Sequence, residues 1–455
     1  MHESDTIVAL ATAAGPAAIA TVRLSGSDSI TIAARLFSPA SLSEIPSHRA
    51  VFGQIHDPET GRLLDHALCT VMRGPGSYTG EDVVEISCHG SPAVTNEVLA
   101  LCCRQGARIA LPGEFTRRAL EHGRMDLAQA EAVLDLIHAR TPLAARAAAE
   151  KLSGGFSNEI ECIAEHLLSL LAKVEAGLDF PEDVENAESE TFCSALERQA
   201  AEPLARILSA YNDGEVLRSG VYVAIVGRPN AGKSSLLNAL LDRDRVLVTE
   251  EAGTTRDVVE ESLITSGGLF VLADTAGLSE NAARLELLSM ERSRQALEKA
   301  RLVLFVVDGS RGSVEEEAQL LEAECTGKEV LVLANKADIA GEEKLACVEA
   351  AFSGRNVLRI SALTGQNLSL LRRHMAAFFP TFSGSASCGP NMRQKLSLER
   401  AAAGIQAALD NARSQAWELA AEDLRISIAG LDETLGRNVS EDVLDRIFSL
   451  FCIGK

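Results

Sequence analysis

Residues 227–234 read GRPNAGKS, the glycine-rich pattern G-x-x-x-x-G-K-S of phosphate-binding loops. Glycines let backbone N–H groups approach phosphate oxygens, and a following helix N-terminus adds a favourable dipole. In such a loop Lys233 bridges the β- and γ-phosphates, and the Ser234 hydroxyl binds Mg²⁺. An apolar run at 221–226 precedes the segment and a helical pattern at 235–241 follows it. This strand–loop–helix context predicts a nucleoside triphosphate site.

Two further segments predict contacts with magnesium and the γ-phosphate. Residues 253–257 read GTTRD and follow a strand-like piece at 246–248. Thr255 is expected to complete the magnesium shell when a γ-phosphate is present. An apolar strand at 269–273 leads into DTAG, where Asp274 is expected to hold a magnesium-bound water and Gly277 to reach the γ-phosphate through its N–H. Each segment is weak alone, but their order after the phosphate-binding loop is specific.

The choice of base is predicted by the segment NKAD at 335–338, which follows an apolar strand at 330–333. A carboxylate at Asp338 accepts hydrogen bonds from both N1–H and the N2 amino group of guanine, and adenine does not offer these donors in that arrangement. SAL at 361–363 follows a strand at 357–360 and is expected to finish the base pocket through its backbone. The ordered segments therefore predict GTP as the nucleotide. The expected GTP contacts are Asn230, Ala231, Gly232, Lys233, Ser234, Ser235, Thr249, Glu250, Glu251, Ala252, Gly253, Thr254, Thr255, Asp274, Thr275, Ala276, Gly277, Asn335, Lys336, Asp338, Ser361 and Ala362.

The position directly after DTAG, where small signalling GTPases commonly carry a water-orienting Gln, is Leu278 in this chain. Another group must therefore position the attacking water. Glu280, Glu286 and Glu291 are nearby, and Glu286 is preferred because it opens a helical pattern between two leucines. A carboxylate there can orient water directly or through a second water. The alternative is a solvated glutamate on a helix face.

No arginine finger is identifiable from the sequence. Arg228 and Arg256 are conceivable, but each is equally well explained as a surface or structural cation. Asn230 offers a side-chain oxygen near the phosphates and is a candidate ligand for a monovalent cation. Such a cation would supply the charge that an arginine otherwise provides.

Composition limits the classes that the chain can belong to. With 455 residues it has room for roughly two to four domains. The formal charge of −21 opposes broad electrostatic adhesion to nucleic acid or anionic membrane, so an RNA substrate requires a local basic patch or a partner protein. No apolar run is long enough for a membrane helix and no signal peptide is evident, which favours a cytoplasmic protein. The ten cysteines form no metal-type pairs, and most are expected to be small buried hydrophobes.

The elements that must position these residues fall into three sections. The first, to about residue 123, mixes strands with one clear helix at 91–106, for which Ser91 is the expected N-cap and Pro92 the first helical residue. It is expected to be a compact α+β domain. Its predicted strands are 7–11, 19–24, 51–55, 67–72 and 83–87.

The other sections are helical or contain the nucleotide motifs. Helical periodicity is predicted at 128–138 and 143–178, and again in the tail at 396–424 and 440–450, after a Ser/Gly/Pro-rich linker at 380–390. Neither helical piece has a packing partner within itself, so we expect the two to pack together with the nucleotide-binding domain inserted between them. The predicted fold is multidomain α/β and α. Its predicted boundaries are an N-terminal α+β domain at 1–123, helical parts at 124–218 and 381–455, and a Ras-like P-loop GTPase domain at 219–380.

Beyond these motifs, the chain resembles the MnmE (TrmE) family of tRNA modification GTPases nearly from end to end. The resemblance includes a terminal segment, FCIGK, that is among its most specific features. The other segments that carry it are DTIVA at 5–9, SYTGEDVVE at 77–85, PGEFTRRA at 112–119, DLAQAEA at 126–132 and AEDLR at 421–425.

This resemblance implies a homodimer whose N-terminal, tetrahydrofolate-binding-like domain binds a 5-formyltetrahydrofolate-type one-carbon donor. It implies GTPase domains that dimerise in a potassium-dependent way to activate hydrolysis. With the flavoprotein partner MnmG, such proteins add an aminomethyl or carboxymethylaminomethyl group to C5 of the tRNA wobble uridine. By position, the folate contacts would be Arg23, Glu85, Arg124 and Lys455, and the potassium ligands Asn230, Thr249, Glu251 (through its backbone) and Thr254, beside Mg²⁺ on Ser234 and Thr255.

The resemblance also assigns individual roles. Glu286 falls on the catalytic glutamate of the family, whereas Cys452 is either a nucleophile or a small thiol buried beside the folate site. Arg124 stands where the family has a lysine, which keeps the charge but changes its geometry. The residues 393–395, RQK, stand where the family has a more basic run in its RNA-facing tail.

Two alternatives remain open from the sequence. A ribosome-assembly or RNA-chaperone GTPase without chemistry of its own would carry the same nucleotide segments, but it would more often append a basic RNA-binding module. A purely structural dimerisation protein with a degenerate nucleotide site is disfavoured because each nucleotide segment is present.

Overall fold

The structure of the chain, a computed structural model, describes residues 5–38, 41–179, 189–241, 260–265, 268–274, 297–311, 314–379 and 389–455. Within these ranges the chain divides by its contacts into two compact units. One contains Met1–Ile137, Ala149–Ala205 and Met392–Lys455, and the other contains His138–Ala148 and Arg206–Asn391. The chain therefore leaves the first unit and returns to it, as an inserted domain requires.

The first unit contains a mixed sheet, the N-terminal sheet, in the strand order β3-β4-β5-β6-β2-β1-β7. Strand β1 pairs with β7 in parallel and its other neighbour, β2, is antiparallel. The sequence-predicted strands are confirmed, with ends that shift by up to four residues. The strands are β1 (Ile7–Leu10), β2 (Ala17–Ser25), β3 (Phe37–Ser38), β4 (Arg49–His56), β5 (Leu63–Met72), β6 (Val83–Gly90) and β7 (Arg108–Ile109).

One face of the N-terminal sheet is covered by helices α1 (Ser29–Leu36) and α2 (Pro92–Arg104). Along β2 the side chains of Val22 and Leu24 point into this core, because successive residues of a strand face opposite sides. Arg23, between them, lies on the other face, which we call the open face. Helix α2 begins after Ser91 with a proline in its first turn, as predicted.

The remaining helices of the first unit form the helical part of the chain. Helix α16 (Trp417–Leu435) packs against α15 (Met392–Arg413) and α6 (Gly155–Asp179), and α15 packs against α7 (Ser189–Leu196). This confirms that the two helical stretches pack together across the insertion. The other helices of this unit are α3 (Glu114–Glu121) and α17 (Glu441–Phe448). Helices α4 (Leu127–His138), α5 (Pro142–Leu152) and α8 (Glu202–Ser209) each cross a boundary between the two units, and α9 (Tyr211–Ser219) belongs to the second.

Two long helical predictions are each interrupted. The stretch predicted at 143–178 breaks after Leu152, because Gly154 adopts a left-handed φ of 93° before α6 begins. The stretch predicted at 396–424 breaks between α15 and α16, where Gln415 has a φ of 62°. Periodicity alone did not reveal these turns, because the apolar spacing continues across them.

The second unit contains a sheet in the order β13-β12-β11-β8-β10-β9, the nucleotide sheet, with β9 its only antiparallel strand among the described residues. Strand β11 is buried at every position, as expected for a parallel strand with helices on both faces. Its strands are β8 (Val221–Val226), β9 (Glu260–Ile264), β10 (Leu269–Asp274), β11 (Leu302–Asp308), β12 (Glu329–Asn335) and β13 (Asn356–Arg359). Its helices are α10 (Lys233–Leu241), α12 (Glu315–Glu324), α13 (Glu342–Ala351) and α14 (Leu368–Ala376), and α11 is the helical segment described at 297–299.

Three further observations concern the chain as a whole. Among the described residues, no helix has both the length and the apolar composition needed to cross a bilayer. The nine cysteines within the described ranges are free thiols, and five of them are buried. No cluster of potential metal-binding His, Cys, Asp and Glu side chains occurs in the described ranges.

Candidate functional site: a nucleotide cradle and an arginine site on the N-terminal sheet

The phosphate-binding loop connects β8 to α10 as predicted. Two of its glycines are required by their surroundings. Gly227 has a φ of 151°, and a Cβ there would lie 2.2 Å from the carbonyl oxygen of Val306 on β11. Gly232 has a φ of 98°, and a Cβ there would lie 2.2 Å from Nδ2 of Asn335. The loop can therefore pack this closely on the nucleotide sheet only with glycine at both positions.

The side chains of Lys233 and Asn335 both donate hydrogen bonds to main-chain carbonyl groups of the phosphate-binding loop. The Lys233 ammonium group donates to the carbonyl oxygens of Gly227 (2.8 Å) and Arg228 (3.0 Å) and is largely buried. The Asn335 side chain is 2% exposed, donates to the Ala231 carbonyl oxygen (2.9 Å) and accepts from the Ala362 N–H (3.0 Å). Asn335 thus binds three loops to one another through its amide.

The base motif lies at the ends of β12 and β13. Asp338 is exposed, with its carboxylate available to a ligand, whereas Ser361 is fully buried and accepts from the Thr364 N–H. Lys336 extends from the motif to the phosphate-binding loop, where its ammonium group donates to the carbonyl oxygen of Asn230 (2.9 Å). The structure thus brings together the predicted residues Asn230 to Ser235 with those of 335–338 and 361–362.

Several predicted residues lie outside the described part of the chain. For Asp274 the backbone is described as the last residue of β10, next to β8 in the sheet. Arg228, one of the arginines considered for catalysis, is paired with Glu316 of α12. The predicted site residues outside the described ranges are Thr249, Glu250, Glu251, Ala252, Gly253, Thr254, Thr255, Thr275, Ala276, Gly277 and Glu286.

A second charged site lies on the open face of the N-terminal sheet. Arg23 and Glu85 are cross-strand neighbours, and the Arg23 Nε–H donates to the Glu85 carboxylate at 2.8 Å. The guanidinium group lies over two aromatic rings, 5.6 Å from the ring centroid of Tyr78 and 5.7 Å from that of Phe115. Contacts of this kind between a cation and ring faces hold the guanidinium in one orientation. The sequence predicted Arg23 and Glu85, but not the role of the two rings.

The tail segment 451–455 reaches this site from the far end of the chain. Arg23 donates to the Gly454 carbonyl oxygen (3.4 Å), and burial together with the nearby charge of Arg23 lowers the pKa of Lys455. Gly454 has a φ of 99°, and a Cβ there would lie 2.2 Å from the carbonyl oxygen of Leu10. Cys452 is exposed, so the expectation of a thiol buried beside the site is wrong. Ion pairs from Arg117 of α3 to α17 anchor the helix that precedes the tail.

Of the four predicted folate contacts, Arg124 follows helix α3 and lies beside the loop between β5 and β6 that carries Tyr78, here called the Tyr78 loop. Arg124 is exposed, and its Cγ would be 3.5 Å from a Cβ placed on Gly80. It therefore borders the loop, and the structure does not pair it with Arg23.

The run at 393–395, expected to face RNA, is partly used for packing within the chain. Arg393 donates from Nε to Oε1 of Glu131 (2.8 Å), and Gln394 is fully buried.

Behind the Tyr78 loop lies a network of charged residues. Arg118 contacts the carboxylates of Asp5, Glu81 and Glu114, and Arg108 contacts those of Asp5 and Glu114. Burial by itself would raise the pKa values of Asp5 and Glu114, but hydrogen bonds from the two arginines outweigh it and lower both pKa values. Glu81, held in this way, also accepts from the Ser25 hydroxyl (2.6 Å), which fixes the end of the loop.

The nucleotide cradle defines the class of the protein: it is a P-loop protein of the guanine-nucleotide-binding type, because the phosphate loop and an N-K-x-D loop are joined through Asn335 and Lys336. A family model described as the MnmE helical domain matches residues 127–452, and one described as the GTP-binding protein TrmE N-terminus matches residues 6–124.

Curated relatives match along the whole chain. A protein of Moorella thermoacetica named tRNA modification GTPase MnmE is 43% identical over 99% of this chain and 99% of its own. A protein of Lactobacillus delbrueckii subsp. bulgaricus with the same name is 39% identical over 100% of this chain and 99% of its own. A solved structure of Aquifex aeolicus Era bound to GDP and AlF4⁻ is 27% identical over 41% of this chain and 66% of its own, with a TM-score of 0.29. On the sequence relatives, the chain belongs to the MnmE family of tRNA modification GTPases.

Proposed function

We propose that this protein hydrolyses GTP as part of a tRNA modification reaction that adds an aminomethyl or carboxymethylaminomethyl group to C5 of the wobble uridine. The observation that carries the proposal is the combination of two sites in a full-length member of this family. One is a guanine-nucleotide cradle, and the other is a preformed cationic site on a sheet that holds no nucleotide motif.

The nucleotide in this proposal is GTP with Mg²⁺. The phosphate loop suits this ligand because its two glycines allow the close packing on the sheet that shapes the loop. Lys233 is held against the main chain of the same loop. Ser234, at the start of α10, would bind the magnesium ion together with Thr255, and Asp338 would bind the guanine base. Magnesium, when bound, neutralises phosphate charge that develops during hydrolysis.

Hydrolysis is proposed to depend on potassium and on Glu286. Asn230 is exposed on the phosphate-binding loop, so its side-chain oxygen is free to act as one ligand of a monovalent cation. Thr249, Glu251 and Thr254 would be the others, and Glu286 would orient the attacking water. A cation there supplies positive charge without an arginine finger, in line with the pairing of Arg228 to Glu316.

The arginine site is proposed to bind a 5-formyltetrahydrofolate-type one-carbon donor. Its residues suit such a ligand, because Arg23 and Lys455 offer cationic hydrogen-bond donors for carboxylates while Glu85 offers an acceptor for a pterin-like ring. Tyr78 supplies an aromatic surface. When bound, the folate supplies the one-carbon unit; Arg124, at the border of the loop, would contact its outer part.

The proposal includes the partners that the family implies: a homodimer, the flavoprotein MnmG in a heterotetramer, and tRNA, acting together in the cytoplasm. We keep the domain boundaries at 1–123, 124–218, 219–380 and 381–455 as a prediction. The competing proposal, a ribosome-assembly or RNA-chaperone GTPase, explains the nucleotide cradle equally well. It does not explain why the Arg23 guanidinium is fixed by two rings and Glu85 next to the tail.

The first experiment is steady-state GTP hydrolysis by the purified protein in KCl and NaCl buffers of equal ionic strength. We expect at least about a tenfold higher turnover in potassium, because a cation in the site stabilises transition-state charge. The Glu286→Ala variant should bind GTP normally and lose most of its turnover. Glu291→Ala, a change of the same kind five residues later, serves as its control.

Equal turnover in the two salts would remove Asn230 as a cation ligand and favour the assembly-factor alternative. Unchanged turnover of Glu286→Ala would exclude the proposed water-orienting role. The modification reaction is tested separately, by mass spectrometry of tRNA nucleosides after incubation with a folate donor and the flavoprotein partner. Unmodified uridine under those conditions would contradict the proposed chemistry even if hydrolysis were potassium-dependent.

A further inference from the structure

A buried carboxylate that the nucleotide motifs do not include lies at the centre of the nucleotide cradle. Asp308 is the last residue of β11, and in the parallel ladder it is the register partner of Asn335, the first residue of the base motif. Its side chain is only 10% exposed. Parallel strands end at the same edge of a sheet, so this position places a charged group between the phosphate loop and the base loop.

The Asp308 carboxylate is held by donors on both oxygens. Oδ1 accepts from the Ser310 N–H (3.0 Å) and the Ser310 hydroxyl (2.6 Å), and Oδ2 accepts from the Lys336 ammonium group (2.7 Å). Burial by itself would raise its pKa, but these hydrogen bonds outweigh it, so the pKa of Asp308 is lowered and the group stays ionised. Arg311, half-exposed, adds only a longer contact of 3.7 Å.

Lys336 carries this interaction to the phosphate-binding loop. Its ammonium group donates one hydrogen bond to Oδ2 of Asp308 and another to the carbonyl oxygen of Asn230. Both Lys336 and Asn230 have left-handed backbones, with φ of 63° and 64°. Asparagine tolerates this conformation through its short polar side chain, but lysine has no such compensation. Non-glycine residues keep such angles only when the surrounding contacts hold them.

We propose that Asp308 is a positioning residue for guanine-nucleotide binding. It fixes the Lys336 ammonium group against the phosphate loop, so that the base loop and the phosphate loop form one rigid cradle before the nucleotide binds. Asp308 itself touches no nucleotide in this proposal and acts through Lys336. A site that is already in its bound geometry loses less conformational freedom on binding, which favours affinity and slow release.

The test is a double-mutant cycle on nucleotide binding by the full chain. Asp308→Asn keeps the shape of the side chain and removes its charge. We expect it to weaken GDP and GTP binding by about tenfold, mostly through faster dissociation of a fluorescent GDP analogue, because a charge-assisted hydrogen bond is lost. Turnover at saturating GTP should stay within about twofold, since no reacting group is touched.

The second arm is Lys336→Ala, alone and with Asp308→Asn. If Asp308 acts through Lys336, adding Asp308→Asn to Lys336→Ala costs less than about twofold. A full tenfold loss in that background would overturn the proposal. Ser310→Ala removes one donor from the same carboxylate and leaves its charge, and we expect about a two- to threefold loss from it.

Glu316→Gln is the matched control. It also removes an acidic partner of a cation in the phosphate loop, Arg228, but its side chain is 70% exposed. Exposed pairs contribute little, so we expect less than about a twofold change in affinity. Equal effects of Asp308→Asn and Glu316→Gln would overturn the assignment. If Asp308→Asn lowers the melting temperature sharply, the Ser310→Ala variant provides the deciding measurement. A nucleotide dissociation rate from Ser310→Ala equal to that of the wild type would contradict the proposal.

Discussion

The two sites of this protein are built in different ways. In the nucleotide cradle each loop directly follows a parallel strand of the nucleotide sheet, and the loops are joined largely through main-chain carbonyl groups contacted by Lys233, Asn335 and Lys336. At the arginine site the contacts are between side chains: Arg23 forms an ion pair with Glu85 and contacts two aromatic rings. A segment from the end of the chain completes it.

This difference predicts how each site fails. The cradle depends on a few loop conformations that short sequence segments specify. A single change within one of those segments should therefore be enough to abolish nucleotide binding. The arginine site depends on the docking of α17 and the tail against the N-terminal sheet, through Arg117 and Gly454. Changes far from Arg23 in sequence should therefore disable it while leaving the cradle intact.

The largest expected effect tests the cradle. Lys233→Ala should reduce GTP affinity and turnover by at least about a hundredfold, because it removes the cation that faces the phosphates. Isothermal titration and phosphate release measure the two quantities. Lys328→Ala is the control, since Lys328 also donates to two main-chain carbonyls, of Glu298 and Ala300, but lies outside the cradle. Comparable losses in both variants would mean that Lys233 acts by supporting the backbone alone.

The second prediction tests the docking of the tail. Gly454→Ala places a Cβ 2.2 Å from the Leu10 carbonyl oxygen, whereas Gly106→Ala, at a similar φ of 109°, meets nothing within 4 Å. The two changes share the backbone strain and differ in the clash. We expect Gly454→Ala alone to speed amide exchange across 451–455 and to weaken 5-formyltetrahydrofolate binding by about tenfold.

GTP affinity should be the same in both glycine variants and in the wild type. If Gly454→Ala weakened GTP binding as much as folate binding, the two sites would not be built independently. If Gly106→Ala reproduced the loss of folate binding, backbone strain rather than tail docking would be its cause.

The smallest effect is expected from pH. The pKa values of Asp5 and Glu114 are lowered in the folded chain, so their stabilising contribution is present above the unfolded pKa and is lost as pH falls through the folded one. Between about pH 6 and pH 3, protection of β1 amides, corrected for intrinsic exchange, should therefore fall several-fold more than protection of β11 amides, where Asp308 at the strand end is one carboxylate with a lowered pKa. Hydrogen exchange with mass spectrometry measures both strands in one sample.

Glu114→Gln should reduce this pH dependence, because the variant side chain does not titrate. Glu97→Gln is the control, since the Glu97 carboxylate makes a half-exposed pair with Arg62 and its removal should leave the slope unchanged. If amide protection fell more steeply with decreasing pH in β11 than in β1, the assignment of the acid-sensitive network to the N-terminal sheet would be wrong.

Much of the fold follows from periodicity. Strand β8 begins and ends where the apolar run at 221–226 predicts, and α2 begins after Ser91 because a proline in its first turn suits a helix start. The breaks at Gly154 and Gln415 were missed, since both lie inside continuous helical spacing. Asp308 was also missed, although a signal existed: an acidic residue ends a buried strand whose parallel neighbour ends in the base motif.

By itself, the sequence determined the nucleotide cradle, because each of its loops is a short local segment whose glycines, lysine and carboxylate have fixed roles with phosphate or guanine. Only the tertiary structure decided that Tyr78 and Phe115 contact Arg23, that Cys452 is exposed, and that Arg393 and Gln394 pack on Glu131. The physical reason is range. A loop conformation is set by neighbouring residues, whereas a contact between residues tens to hundreds of positions apart depends on how strands and helices pack, which no local pattern encodes.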